Sequence, residues 1–389
     1  MRIVHINSVL LRFKRLLLKS SAAITLTFVL SVFSSLRGEE LVFESNRTTF
    51  RAVTLIDDLE HPWAMAFLPA GDLLITERPG RLIWYKDGKL HRVSGLPEIA
   101  TGGQGGLLDV VLHPDYLMNK TICFAYSAGD NRGTGTEIAC ASFDQGHLSN
   151  FRVIFRAIPK WRTAVHFGSR LLFGPDGYLY ATLGDRGYRF FAQDIGAHPG
   201  SIIRITDEGL LPPDNPLIGR ETAKPEIFAY GNRNPQGMSL EPGGQRIWIH
   251  EHGPRGGDEL NVLYPAANYG WPVVSFGKEY RSNKSVGEGT HKAGMQQPVY
   301  YWVPSIAPSG MTFYQGEKFP NWQGSLFIGS LKFKLLVRLE LEGNRVVAEE
   351  RLLEDIFGRV RDIREGPDGL LYLLTDEKNG KLVRLETVD

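Results

Sequence analysis

LLFGPDGYLYATLGD, residues Leu171–Asp185, is the stretch that decides the fold. Two short apolar runs flank a Gly-Pro-Asp-Gly turn. After the turn, Leu179, Ala181 and Leu183 alternate with Tyr180, Thr182 and Gly184. A period of two marks a strand with one face buried, and Pro-Asp-Gly is hairpin punctuation. The unit returns near the C-terminus as IREGPDGLLYLLTDE (Ile363–Glu377). Looser copies are AFLPAGDLLITE (Ala66–Glu77), VVLHPDYLMNKTICFAYS (Val110–Ser127), MSLEPGGQRIWIHEHG (Met238–Gly253) and MTFYQGEKFPNWQGSLFIGSL (Met311–Leu331). Further strand-like segments, GRLIWYKDGKL, GSIIRITDEGLL, KLLVRLELEGNRV and NGKLVRLE, follow several of them.

Six copies over about 320 residues give a period of about 50, the size of one blade of a β-propeller. The expectation is an all-β chain, a six-bladed β-propeller of four-stranded antiparallel blades. Two stacked β-sandwiches are the competing architecture, and the regular spacing speaks against them. No long segment carries a 3.6-residue apolar stripe, so few helices are expected.

The chain has 389 residues, 42 % apolar and 22 % charged, an ordinary balance for a globular protein. A formal net charge of +1 leaves no global field to steer nucleic acid or a membrane surface. Residues 1–38 differ from the rest. Arg2, Arg12, Lys14, Arg15 and Lys19 precede the apolar run Ser20–Phe33, and the first acid is Glu39. This is the layout of a secretory signal peptide, although residues 34–38 make a poor cleavage site. An uncleaved anchor is the alternative, but the run is short against the roughly 20 residues that span a bilayer. The expectation is therefore a periplasmic or secreted single propeller over residues 39–389, without stable membrane insertion after signal removal, as a monomer or homodimer. Cys123 and Cys140 flank a Gly-rich loop in two strand-like segments. An exported compartment permits a disulfide between them; two buried free thiols fit the sequence equally well.

A propeller gathers chemistry at loops around one end of its channel. The densest such region is YGNRNPQGMSLEPGGQRIWIHEHGPRGGDELNVLYPAANYGWP, Tyr230–Pro272. Loops this polar and long usually carry function. Gly253-Pro254 offers bare carbonyl oxygens near Asp258, Glu259 and the Asn268-Tyr269-Gly270 loop, a donor set suited to calcium. A solvated acidic loop is the bland alternative. His250-Glu251-His252 could suggest zinc, but no Cys or third His lies near. His166, in TAVHFGSRLLF, stands at a strand entry where an imidazole could act as a base; a lone His is more often structural. Gln104, in TGGQGGL, is the one side chain of that glycine loop able to touch a ligand, and the loop lacks the Lys of a P-loop. Arg233, Lys332, Arg359 and Arg361 are cations in apolar or turn contexts. Four separate salt bridges would account for them; one pocket for a polyanionic small molecule is the sharper reading.

These motifs resemble the soluble PQQ-dependent sugar dehydrogenases, the aldose sugar dehydrogenase branch more than the glucose-specific one. The resemblance runs through GGQGG, HFGSRLLFGPDGYLY, YGNRNPQG, EHGPRGGDELN, NYGWP, GSLK and GRVRDI, in order from about Leu55 to Glu386. It implies a six-bladed propeller with pyrroloquinoline quinone (PQQ) at the channel top. It implies His166 as the base taking the anomeric hydroxyl proton while the C1 hydride moves to the quinone C5. By the same resemblance Gln104 contacts cofactor and sugar, and Arg233, Asn234, Lys332, Arg359 and Arg361 bind PQQ. The carbonyls of Gly253 and Pro254 match ligands of a calcium on PQQ, and Glu259 and Tyr269 match ligands of a second, structural calcium. Trp302 lies near the family's sugar-contacting aromatic. Glucose-type members have an Asp before the catalytic His, where this chain has Val165, so a carboxylate partner must come from elsewhere or be absent. The 277–297 loop matches nothing in the family and would shape the sugar entrance or a dimer contact. The expected function is oxidation of an aldose at C1 to the lactone, with electrons passed to an external acceptor. The main alternative is a non-catalytic exported propeller binding a protein or glycan; a calcium-dependent lactonase would need more channel acids than are present.

Overall fold

The computed structural model describes residues 41–388. The signal-peptide reading of residues 1–38 lies outside them. The described residues form six antiparallel sheets, five of four strands and one of five. Their first strands are Pro62–Phe67, Leu107–Leu112, Leu171–Phe173, Pro235–Leu240, Pro308–Phe313 and Val360–Glu365. Each packs against the next, and the last returns to the first, so the sheets close into a ring around an axis. This is the expected six-bladed propeller. Among the described residues helix is confined to Tyr116–Asn119 and two short 3-10 segments, Arg189–Gln193 and Pro320–Trp322.

The opening motif shows how its residues dictate the blade. Leu171–Phe173 pairs with Leu179–Thr182 in the register Leu171↔Ala181. The Tyr180 hydroxyl donates to Asp176 at 2.8 Å, and the Tyr178 N–H donates to the same carboxylate at 3.2 Å. The tyrosine ring lies over Gly174, where a Cβ would meet Tyr180 at 2.5 Å. Gly177 takes φ +80°, a conformation that suits glycine. In the last blade Tyr372 donates to Asp368 at 2.8 Å and covers Gly366 in the same way. The recurring Gly-Pro-Asp-Gly-x-x-Tyr is thus one hydrogen-bonded hairpin device used twice.

Leucines on alternate strand positions pack blade against blade. Between the fourth and fifth blades, Trp248, Val262 and Trp302 meet Met311, Ile328 and Val337, all buried. Full burial of each such side chain contributes about 1.5–3 kcal/mol. Cys123 and Cys140 lie opposite each other in neighbouring strands, with Cα atoms 4.1 Å apart, and form a disulfide. The N-terminal strand Thr49–Leu59 pairs with the C-terminal strand Gly380–Thr387 in the register Ala52↔Leu385, with Leu41–Glu44 outside it. The last blade is therefore built from both chain ends.

The axis itself is charged. Arg170 reaches Asp109 and Asp362 at 3.1 Å each, and Arg364 reaches the same two acids at 3.2 and 3.1 Å. Both acids are fully buried. The Asp109 carboxylate also accepts the Leu171 N–H at 2.7 Å, and Asp362 accepts the Met65 N–H at 3.1 Å. This network fastens the first, second, third and sixth blades beneath the channel mouth.

Candidate active site

His166 precedes the first strand of the third blade, and Asp185 follows its second strand. Because the strands form a hairpin, the two ends meet. His166 Nδ1 lies 2.6 Å from Asp185 Oδ1. The carboxylate is held in turn by the Gly187 N–H at 2.7 Å and the Trp271 indole N–H at 2.8 Å. His166 takes φ +53°, a strained conformation for a non-glycine residue, and its N–H donates to Gln104 Oε1 at 2.7 Å. Burial lowers the imidazole pKa below its ordinary value, and the Asp185 hydrogen bond only partly offsets this. Burial raises Asp185, but the bond from His166 and the charge of Arg233 outweigh it, leaving the carboxyl below its ordinary range. The ring is thus neutral near pH 7, with its proton on Nδ1 toward the carboxylate and a lone pair on Nε2. The carboxylate that Val165 does not supply comes from Asp185.

A run of contacts leads from the base to the cations. The Gly168 N–H donates to Asn234 Oδ1 at 3.2 Å, and the Gln236 amide donates to the same oxygen at 3.2 Å. Arg361 donates to Gln236 Oε1 at 2.7 Å and lies 4.3 Å over the Trp63 ring. Arg361 is 4 % exposed, and among the described residues its Nε has no hydrogen-bond partner and no carboxylate pairs with it. Burial, then the charge of Arg170, lowers its pKa. Arg359 reaches Asp376 at 3.5 Å and the Leu331 carbonyl at 3.3 Å, beside Lys332. Lys332 is exposed, lies 5.1 Å over Phe333 and has no ion-pair partner among the described residues. Arg233 is held under Trp271, and its carbonyl accepts the Asp185 N–H at 2.8 Å. A buried arginine without a counter-ion, beside further cations, suits a polyanionic cofactor such as PQQ with its three carboxylates.

The carbonyl and carboxylate oxygens lie on the fourth blade. Gly253 O accepts from Arg233 at 2.9 Å, and Pro254 O accepts from the Tyr280 hydroxyl at 3.1 Å, leaving each oxygen a second lone pair. Glu251 and Glu259 face each other across neighbouring strands. Both are buried, and they line a cavity of about 10 Å³ with Gly253, Tyr269 and Trp271. Burial raises the Glu259 pKa well above the ordinary value, and the Glu251 charge adds to it. Burial likewise pushes Glu251 up to about 7, against the N–H groups of Arg233 and Asn232. Two buried carboxylates side by side, lining a space for one small occupant, suit a hard dication completed by backbone carbonyls. Among the described residues no three His, Cys, Asp or Glu side chains form a metal cluster, so carbonyls would have to supply the remaining ligands. Among the described residues the His250 ring nitrogens have no hydrogen-bond partner, and His252 Nε2 lies 2.6 Å from the Pro308 carbonyl.

The structure thus gathers Gln104, His166, Arg233, Asn234, Gly253 and Arg361 through direct contacts, with Arg359 and Lys332 alongside. Trp302 requires a correction. Its ring is 3 % exposed in the core between blades, and its N–H donates to Glu349 at 2.8 Å, so packing removes it from a sugar's reach. Its neighbour Tyr301 is the exposed one, stacked 3.9 Å from Phe276. Asp185, Trp271 and Gln236 escaped the sequence reading, and Glu251 entered it only as part of the zinc triplet set aside there. Asp185 ends the Leu171–Asp185 motif, and hairpin register was the signal that could have found it.

The Glucose / Sorbosone dehydrogenase family matches residues 59–384. The chain is 45 % identical over 344 residues to aldose sugar dehydrogenase YliI of Escherichia coli, covering 87 % of this chain and 93 % of that protein. The crystal structure of the soluble E. coli aldose sugar dehydrogenase in its apo form superposes with a TM-score of 0.85 at 44 % identity, over 87 % of this chain and all of that one. The PQQ-bound aldose sugar dehydrogenase of Streptomyces coelicolor gives a TM-score of 0.71 at 29 % identity, over 86 % of this chain and 96 % of that one. The chain belongs to the glucose/sorbosone dehydrogenase family.

Proposed function

We propose that the protein is a PQQ- and calcium-dependent dehydrogenase that oxidises aldose sugars at C1 to the lactone and passes the electrons to an external acceptor, in the periplasm or outside the cell. The observation that carries this reading is His166: a neutral imidazole with Nδ1 committed to Asp185, joined through Asn234 and Gln236 to Arg361, a buried cation with no ion pair among the described residues. The names of the similar proteins, aldose sugar dehydrogenase and a PQQ-bound form of one, support it. The disulfide supports an oxidising compartment.

Arg233, Asn234, Lys332, Arg359 and Arg361 would hold the carboxylates of PQQ, with Gln104 at its edge. Gly253 and Pro254 would offer carbonyl oxygens to a calcium on the cofactor, and Glu259, Glu251 and the Tyr269 carbonyl would hold a second calcium. When bound, PQQ would supply a quinone able to take a hydride, polarised by calcium as a Lewis acid. The protein's own residues do the rest. Asp185 fixes the imidazole tautomer and orientation, so Nε2 takes the proton of the C1 hydroxyl. Gln104 braces the base through its carbonyl oxygen and keeps its amide nitrogen for a sugar oxygen. The test is dye reduction by glucose in protein reconstituted with PQQ and calcium. His166→Ala should cut the rate at least about 100-fold, the lower bound for a general base, while PQQ still binds. A variant as active as the parent would contradict the role of His166.

A further inference from the structure

We infer that Arg186 is a positioning residue for the base: its guanidinium holds the chain on both sides of His166 and so fixes where the imidazole points. The inference rests on the assignment of His166 as the base. Residues 162–170 belong to no strand. Within them His166 and Ser169 both take positive φ, at +53° and +78°. Backbone of this kind persists only where the surroundings over-determine it.

The carbonyls of this segment enter no strand ladder, so other groups must take them. Ala164 O accepts the Gln104 N–H at 2.8 Å, and Phe167 O accepts the Thr136 hydroxyl at 2.8 Å. Arg186 takes the carbonyls of Thr163, at 2.7 Å, and of Val165. Its guanidinium also lies 3.4 Å over the Phe167 ring. One planar group thus holds the residues before and after His166. Arg186 follows Asp185 directly, so consecutive residues grip the base, one through its ring and one through its backbone. The Arg186 carbonyl in turn accepts the Thr163 hydroxyl at 2.6 Å, and its guanidinium donates to Thr134 of the second blade at 2.9 Å.

The arrangement is poorly suited to stability alone. Arg186 is 2 % exposed, and among the described residues its Nε has no hydrogen-bond partner and no carboxylate forms a salt bridge with it. Burial pushes its pKa down to about 10, partly opposed by Asp185, so it stays charged at neutral pH. A buried cation without an ion pair is costly to a fold, whereas the planar fork of an arginine spans two carbonyls and one ring. Its charge also faces the imidazole. The other charged or titratable groups there are Asp185 on the same hairpin and Arg233 and His252 on the fourth blade. Asp185 favours the protonated ring; Arg186 and Arg233 favour the neutral one, the form a base needs.

Two variants of the full protein separate positioning from packing. Arg186→Met removes both the fork and the charge; Arg186→Lys keeps the charge without the fork. NMR titration of the His166 ring, without cofactor, should place its pKa about one pH unit higher in Arg186→Met, the lower end for a neighbouring charge, and near the parent value in Arg186→Lys. In reconstituted protein oxidising glucose, both variants should lose kcat about tenfold or more, since a misplacement of about 1 Å can cost about 100-fold, while KM changes by less than about twofold. The acid limb of the pH–rate profile should move to higher pH in Arg186→Met alone. A folded Arg186→Met protein with the parent's His166 titration and kcat would overturn the inference. If Arg186→Met does not fold, Arg186→Lys decides: the parent's kcat overturns the inference, and a tenfold loss at unchanged Tm upholds it. If the parent oxidises no aldose but the His166 titration still moves in Arg186→Met, the hold on the histidine stands and the dehydrogenase reading falls.

Discussion

His166 and Asp185 form the unit on which the proposed chemistry turns. A base must be neutral to accept a proton, and burial sets the imidazole pKa below 6.5. The rate should therefore rise with pH through a value below 6.5 and stay flat above it. Asp185 raises the histidine pKa by its hydrogen bond and charge. Asp185→Asn should shift the acid limb to lower pH and cut the plateau about 100-fold, the lower end for general-base catalysis. A pH–rate profile of the variant that overlays the parent would contradict the pairing. His166, Gln104 and the cations were legible because each is an odd residue in its local context. Asp185 was not, because it looks like an ordinary strand end. Only the register Leu171↔Ala181, carried back to His166, brings the two residues together. Trp302 was misread because a tryptophan next to a loop gives no sign of which face of the strand it takes.

At the scale of single elements, the hairpin carrying Glu251 and Glu259 is the one most at odds with stability. Both carboxyls titrate above their ordinary values in the folded protein. The folded state therefore binds more protons than the unfolded one between those values, and stability falls as pH rises from about 4.5 through the neutral range. Asp258, pushed up to about 6 by burial, acts in the same direction. A calcium ion between the two glutamates would reverse the loss, since binding only to the folded state stabilises it. Thermal melts at pH 5 and pH 7.5 should show the calcium-free protein losing Tm at the higher pH and regaining it with calcium. Glu259→Gln should melt higher than the parent without calcium and gain less from it. A parent protein indifferent to calcium at pH 7.5 would contradict a metal there. The Gly-Pro-Asp-Gly hairpins, by contrast, were readable outright, because turn, acceptor and tyrosine lie within one short run. The Cys123–Cys140 bond was readable only as a pair of alternatives, since the facing register of two strands decides it.

The whole molecule is a ring, and its closure depends on residues far apart in sequence. The repeat was legible because each blade begins with the same two-strand unit. The seam was not, since Thr49–Leu59 carries no repeat motif and its partner lies at the other end of the chain. Deleting residues up to 60 should expose the edge of Gly380–Thr387 and leave the sixth blade short. Such a protein should aggregate or melt without cooperativity, whereas a protein beginning at residue 41 should melt as one unit. Equal, cooperative melting of both by calorimetry would contradict the seam. The axial network of Asp109, Arg170, Asp362 and Arg364 was hidden for a similar reason: its charges come from three separate blades and read as unrelated oddities until the ring is closed.

The proposed activity is tested most directly by a PQQ titration of the purified protein with calcium, followed by its absorbance and then by addition of glucose. Uptake of PQQ should saturate, and the spectrum should change to that of the reduced cofactor when the sugar is added. A folded protein that takes up no PQQ in the presence of calcium would contradict it.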